Sequence, residues 1–220
     1  MRTRTILAAA AFAVAIIVPA QATAASLRVV SPTKTVFGAT NTQVGSARAY
    51  VDSKGKGHLL KANTAMGQLV AATGWTNTWL TAGYAAGLGA YVTRIGVAAP
   101  KGGYWALFVN GLPAAVGADN QILKKSDRVL WIADNDYSTK NGPFVYDLIA
   151  TFNGDGTFTF TGTKVGGPKP KPAAGAMLSI NGVLDVPLDA NGKATVAVAM
   201  PFTSRIVSTR TIVGSEILNS

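Results

Sequence analysis

The chain has 220 residues, a formal net charge of +10 and no cysteine. The length allows one large or two small domains, and the missing thiols exclude disulfides, cysteine nucleophiles and cysteine-ligated metals. The chain has a single histidine (His58) and a single glutamate (Glu216), so a paired-carboxylate hydrolase would have to use aspartates.

Residues 1–25 read as an export leader. Arg2 and Arg4 form a basic start, an apolar run follows, and Ala22-Thr23-Ala24 supplies a small-x-small cleavage site. The run is short for a membrane span, and no later segment is apolar for long enough to make one. A mature, exported and soluble chain starting near Ala25 or Ser26 is expected. Loss of Arg2 and Arg4 lowers its charge to +8. A basic surface of this kind favours polyanions such as wall polymer, anionic lipid or nucleic acid. The positive residues are scattered, with no basic stripe interleaved with aromatics, so no nucleic-acid partner is expected.

"LRVVS", "KTVFGAT" and "HLLKA" read as short strands. In "NTAMGQLVAATG", Met66, Leu69, Val70 and Thr73 recur at helical spacing behind a cap at Asn63 or Thr64. Gly67 lies inside that helix at a cost of about 1 kcal/mol relative to alanine. Residues 75–90 are rich in glycine and carry Trp75, Trp79 and Tyr84, which reads as a loop able to stack on a flat ligand. His58, beside a basic turn, reads as an exposed turn residue.

"YVTRIGVAA" resumes as a strand. In "GYWALFVNGLPAAVG", alternation places Trp105, Leu107 and Val109 on one face and Tyr104, Ala106 and Phe108 on the other. Asn110-Gly111 makes the turn, and Pro113 puts the returning strand near an edge. "DRVLWIAD" then alternates Val129, Trp131 and Ala133 against Leu130 and Ile132. The acidic cluster of Asp134, Asp136 and Asp147 lacks the glycine and glutamate of a calcium-binding EF-hand loop, and a solvated turn is the plainer reading. No metal site is expected. No nucleophile elbow, phosphate loop or zinc-protease motif occurs.

From about residue 145, strand-like pieces recur at the spacing of a small sandwich: "DLIATF", "TFTFTGTKV", "AMLSINGVLDVPL", "KATVAVAM" and "RIVSTRTIV". Asn153-Gly154-Asp155-Gly156, Asn181-Gly182 and Asn191-Gly192 mark the turns between them. "GGPKPKPAAG", residues 166–175, reads as a loop within this second unit.

"TRIG", "YWALFVNGLPAAVG" and "DRVLWIAD" together resemble the transcobalamin-type C-terminal domain, a module of exported bacterial proteins, over roughly residues 27–142. Ser126 departs from that pattern, standing where the family usually has glycine before Asp127. The resemblance implies a β-grasp-like α+β fold. In the vitamin B12 carriers of animals this domain closes over one face of the corrinoid, opposite a helical domain that no segment of this chain resembles. "GAMLSINGV" and "DANGKATVAV" are similar to strands of Ig-like or prealbumin-like surface modules.

The expected architecture is therefore mostly β. A β-grasp-like domain with one main helix spans residues 26–143, and a small Ig-like β-sandwich spans 144–220. The expected function is non-catalytic binding of a flat small molecule, with the resemblance pointing to a corrinoid. The ligand-binding residues would be Trp75, Trp79, Tyr84, Tyr104 and Asn110. The rival expectation is a cell-surface interaction protein whose basic residues hold anionic wall polymer or a partner protein. An enzyme, which would need a carboxylate pair such as Asp134 with Asp136, is the least expected class.

Overall fold

The computed structural model describes residues 24–31, 35–43, 48–73, 80–85, 89–96, 98–100, 104–134, 145–207 and 215–218. Residues 1–23 of the expected leader, Trp75, Trp79 and Asp136 lie outside them, as do the side chains of Tyr104 and Asp134, whereas Ala24 and Ala25, the last two leader residues, lie in the first strand. The described residues are mostly strand with one short helix, in keeping with the mostly-β class.

The first half builds a five-stranded sheet from β1 (Ala24–Val30), β2 (Thr35–Gln43), β7 (Tyr104–Val109), β8 (Leu112–Pro113) and β9 (Arg128–Asp134). Two hairpins, β3 (Arg48–Val51) with β4 (Gly57–Leu60) and β5 (Leu80–Ala85) with β6 (Gly89–Ile95), stand beside it. The spatial order of the sheet is β2-β1-β9-β7-β8, with β1 and β9 parallel at its centre. Pro113 thus lies on an edge strand, where its missing N–H breaks no ladder. Asn110 adopts a positive φ of 54° and Gly111 one of 79°, the backbone that a two-residue hairpin turn requires.

Alternation along β7 and β9 sorts the core as the pattern predicts. Trp105, Val129, Trp131 and Ala133 join the core under helix α1 (Ala65–Thr73), with Leu107 and Val109 packed against it. Phe108, Leu130 and Ile132 face the other way.

The helix is capped by Thr64, whose Oγ1 accepts the Gly67 N–H at 3.0 Å. The Ala65 and Met66 N–H groups donate to the Gln121 and Ala118 carbonyls, so the first turn is closed by the segment after β8. Met66, Leu69, Val70 and Thr73 are buried, as their spacing requires. Gly67 is explained by a close approach: a Cβ there would lie 2.5 Å from the Lys61 carbonyl oxygen and 2.9 Å from that of Ala62. Gly67→Ala should therefore reverse the usual helix gain and destabilise the protein by about 1–3 kcal/mol in urea unfolding.

The second half folds as two four-stranded sheets over one core. The first contains β10 (Val145–Phe152), β11 (Thr157–Val165), β12 (Lys171–Pro172) and β15 (Lys193–Ala197). The second contains β13 (Met177–Ile180), β14 (Leu184–Pro187), β16 (Phe202–Val207) and β17 (Ser215–Leu218). Phe158 and Phe160 of one sheet meet Phe202 of the other edge-on, at 4.9 and 5.6 Å between ring centroids. The 166–175 stretch returns to the sheet, since β12 pairs with the end of β11.

A third apolar cluster joins the two halves. Val145 and Val165, from β10 and β11, pack against Val30, Phe108, Leu130 and Ile132 of the first sheet. An ion cluster borders it. Arg128 donates to both carboxylate oxygens of Asp147, at 2.7 and 3.1 Å. Buried Arg28 donates to the Tyr146 carbonyl at 2.8 Å and lies 3.8 Å from the same carboxylate. Asp147 therefore serves the seam between the halves, which removes it from the acidic cluster weighed for calcium. A cavity of about 20 Å³ beside these three side chains has room for water and nothing larger.

Candidate functional site

Residues 52–56 form a tight tip between β3 and β4. The Asp52 carboxylate accepts the Lys54 and Lys56 N–H groups at 2.8 and 2.9 Å, and the Asp52 N–H donates to the Lys56 carbonyl. This closure sets the register in which Tyr50 lies directly opposite His58. Cross-strand neighbours share a face, and here that face points inward.

His58 is thus not the exposed turn residue that its basic neighbours imply. Its side chain is only 12% exposed, and its Nε2–H donates to Asp52 Oδ2 at 2.9 Å. Tyr50 lies along one side of the imidazole, 5.0 Å away between centroids and tilted by 26°. Tyr84 lies along the other at 4.2 Å and 17°. The Ser53 N–H donates to the Ala82 carbonyl, which ties the first hairpin to β5 and holds Tyr84 over the histidine.

The stack runs from inside to outside: Tyr50 is wholly buried and Tyr84 is 42% exposed. His58, with Nε2 bound to Asp52 and its ring stacked against both tyrosines, supports the Tyr84 ring from beneath. What the stack offers outward is Tyr84.

Hydrogen bonds from His58 and from the Lys56 and Lys54 amides hold the Asp52 carboxyl below the ordinary carboxylate range. Burial pushes the Tyr50 phenol up to about 12, assisted by the negative charges of Asp119 and Asp52 and by Tyr84. By linkage, the folded chain keeps the Tyr50 proton at a pH where the unfolded chain releases it. Its contribution to stability is complete below pH 10 and falls as the pH climbs from 10 towards 12. Tyr50→Phe should therefore flatten the loss of thermal stability across that window, measured as Tm against pH.

The 75–90 stretch is not a continuous loop. Residues 80–85 and 89–95 pair as a hairpin whose inner face carries Ala82, Ala90 and Val92. Glycine and alanine hide the strand because neither favours it intrinsically. The Tyr91 ring from the opposite strand lies over Gly83, where a Cβ would stand. Tyr91 is exposed on the outer face, away from Tyr84.

Of the five ligand-binding residues expected from sequence, Tyr84 is part of this stack. Asn110 is placed elsewhere, with its amide engaged inside the protein. Its Nδ2 donates to Asp127 Oδ1 and its Oδ1 accepts the Arg128 N–H, each at 2.9 Å. Asp127 also accepts the Lys124 N–H, so this trio ties the β7–β8 turn to the start of β9 even with Ser126 in place of glycine. Trp75, Trp79 and the Tyr104 side chain lie outside the described residues.

Sequence reasoning missed Tyr50, Asp52 and His58. One signal was present: Tyr50 and His58 each stand four residues from Lys54, so a hairpin centred on that residue pairs them. Among the described residues no group of three or more histidine or acidic side chains is placed to hold a metal ion. A depression of about 260 Å³ on the second half is lined by Ser179, Asn181, Thr203 and Arg205 among others and contains none of the expected site residues.

A family model described as "Domain of unknown function (DUF4430)" matches residues 70–135. The matched segment runs from the end of α1 through β9 and includes Tyr84 and Tyr91, while Tyr50, Asp52 and His58 precede it. No curated protein and no solved structure matches the chain.

Proposed function

We propose that the protein is a secreted, non-catalytic binding module that takes a flat small molecule, with a corrinoid-type macrocycle as the first candidate, face-on against Tyr84. The observation that carries this reading is the three-ring stack with its outermost ring open to solvent. A planar ligand laid on Tyr84 adds a fourth layer to a platform that is already ordered, so little side-chain freedom is lost on binding. Trp75 and Trp79, the other two aromatic residues expected from the 75–90 stretch, stay candidates on sequence alone. Tyr104, which opens β7, is the remaining aromatic candidate, and Asn110 holds a turn.

Two further observations support the transcobalamin-type reading. The family match over residues 70–135 falls within the segment that carries the resemblance. A mixed five-stranded sheet with one helix against a single face also suits a β-grasp-like module. Two sheets over a common phenylalanine core suit an Ig-like second module.

Calorimetric titration with cobalamin and with haem, to about 100 μM, tests the proposal. Saturable heat is expected with at least one of them. Tyr84→Ala should weaken binding by about tenfold or more, and Tyr91→Ala, on the opposite face of the hairpin, should leave it unchanged. Flat titrations with both ligands would remove the tetrapyrrole reading.

A further inference from the structure

The β3–β4 hairpin has a second face that the aromatic stack does not use. Val51 and Leu59 project from it, opposite to Tyr50 and His58, because residues two apart on a strand share a side. They are 53% and 79% exposed, and Leu59 is among the most exposed large apolar side chains described. Lys54 and Lys56 occupy the tip and Lys61 follows β4, all three exposed. The sole acid between residues 48 and 61 is Asp52, buried and bound to His58. The tip is also fixed in shape, because the backbone amides of both tip lysines are held by the Asp52 carboxylate.

A rigid hairpin with an apolar ridge and a collar of lysines is complementary to an anionic lipid surface. Its lysines meet the headgroup charge while its two apolar side chains enter the acyl boundary. A soluble polyanion would engage the lysines but gives no reason for a leucine and a valine held in water beside them. We propose that this face docks the protein on a negatively charged bilayer, with Leu59 and Val51 inserted and Lys54, Lys56 and Lys61 at the headgroups. The contact is peripheral and reversible, since two apolar side chains and a few lysines fall well short of a stable anchor.

The lack of native cysteine allows a direct test on the full chain. Leu59→Cys carries an environment-sensitive fluorophore, and Val183→Cys, the most exposed large apolar position among the described residues of the second half, carries the same dye as a control. On vesicles rich in phosphatidylglycerol the dye at position 59 should shift to the blue and become shielded from iodide. It should stay in water on phosphatidylcholine alone, and the control dye should not respond to either. Lys54→Glu with Lys56→Glu should reduce partitioning of the position-59 probe by about tenfold or more. The proposal is overturned if the position-59 dye remains aqueous on anionic vesicles, if both dyes respond alike, or if the lysine variant binds as before. Lysine-dependent binding with Leu59 still in water would assign the surface to a polyanion instead.

Discussion

Asp147→Ala is expected to destabilise the protein by about 3–5 kcal/mol, among the largest effects available from a single side chain. The reason is that one carboxylate serves two guanidinium groups. Arg128 binds both of its oxygens, and Arg28, with a side chain only 6% exposed, lies 3.8 Å from one of them. Without Asp147 two positive charges face each other at the seam between the halves, and Arg28 has little access to water. Breaking a buried pair from one side costs more than the pair contributes when intact, because the stranded charge stays desolvated. Arg128→Ala should therefore cost less than Asp147→Ala, since it leaves Arg28 and Asp147 together. Denaturant unfolding of both variants checks the order, and equal costs would show that Arg28 does not depend on this carboxylate.

Trp131→Ala should have a comparable effect, about 3–5 kcal/mol. Trp131 is 2% exposed in the middle of β9, opposite Val29 on one side and Leu107 on the other. It occupies the junction between the parallel and antiparallel halves of the sheet, on the face covered by α1. Truncation there removes buried contacts and leaves a cavity, and both contribute. Against a typical domain stability of about 5–15 kcal/mol, the variant should fold only marginally at 37 °C. Trp131→Phe, which keeps most of the volume, should recover a large part of the loss. The measurement is a urea melt followed by far-ultraviolet circular dichroism.

The features legible in the sequence were those set by local pattern. Alternation assigned both faces of β7 and β9, the spacing of Met66, Leu69, Val70 and Thr73 found the helix, and Asn-Gly pairs located hairpin turns at Asn110 and Asn181. Features assembled from distant segments were not legible. Tyr50, His58 and Tyr84 come from three strands, and only the hairpin closures and the Ser53–Ala82 hydrogen bond bring them into one column. The β5 strand was hidden because its packing relies on small residues, with Gly83 beneath a ring donated by its neighbour. Val165 reads as an ordinary strand end and Val145 falls just before the first strand-like piece, and nothing local shows that they complete a core shared with the first sheet. Arg28 and Asp147 are 119 residues apart, a separation at which charge pairing leaves no pattern in one sequence.

The platform reading makes its sharpest demand on the lone histidine. His58 lies directly beneath Tyr84 and is the sole imidazole in the chain, so its ring resonances need no assignment among rivals. The decisive measurement follows the His58 Cε1–H signal by NMR while cobalamin or haem is added. A ligand stacked on Tyr84 should move that signal progressively, saturating at the affinity seen by calorimetry, and Tyr84→Ala should abolish the shift. Saturable binding with the His58 resonance unmoved would place the ligand elsewhere and contradict the account.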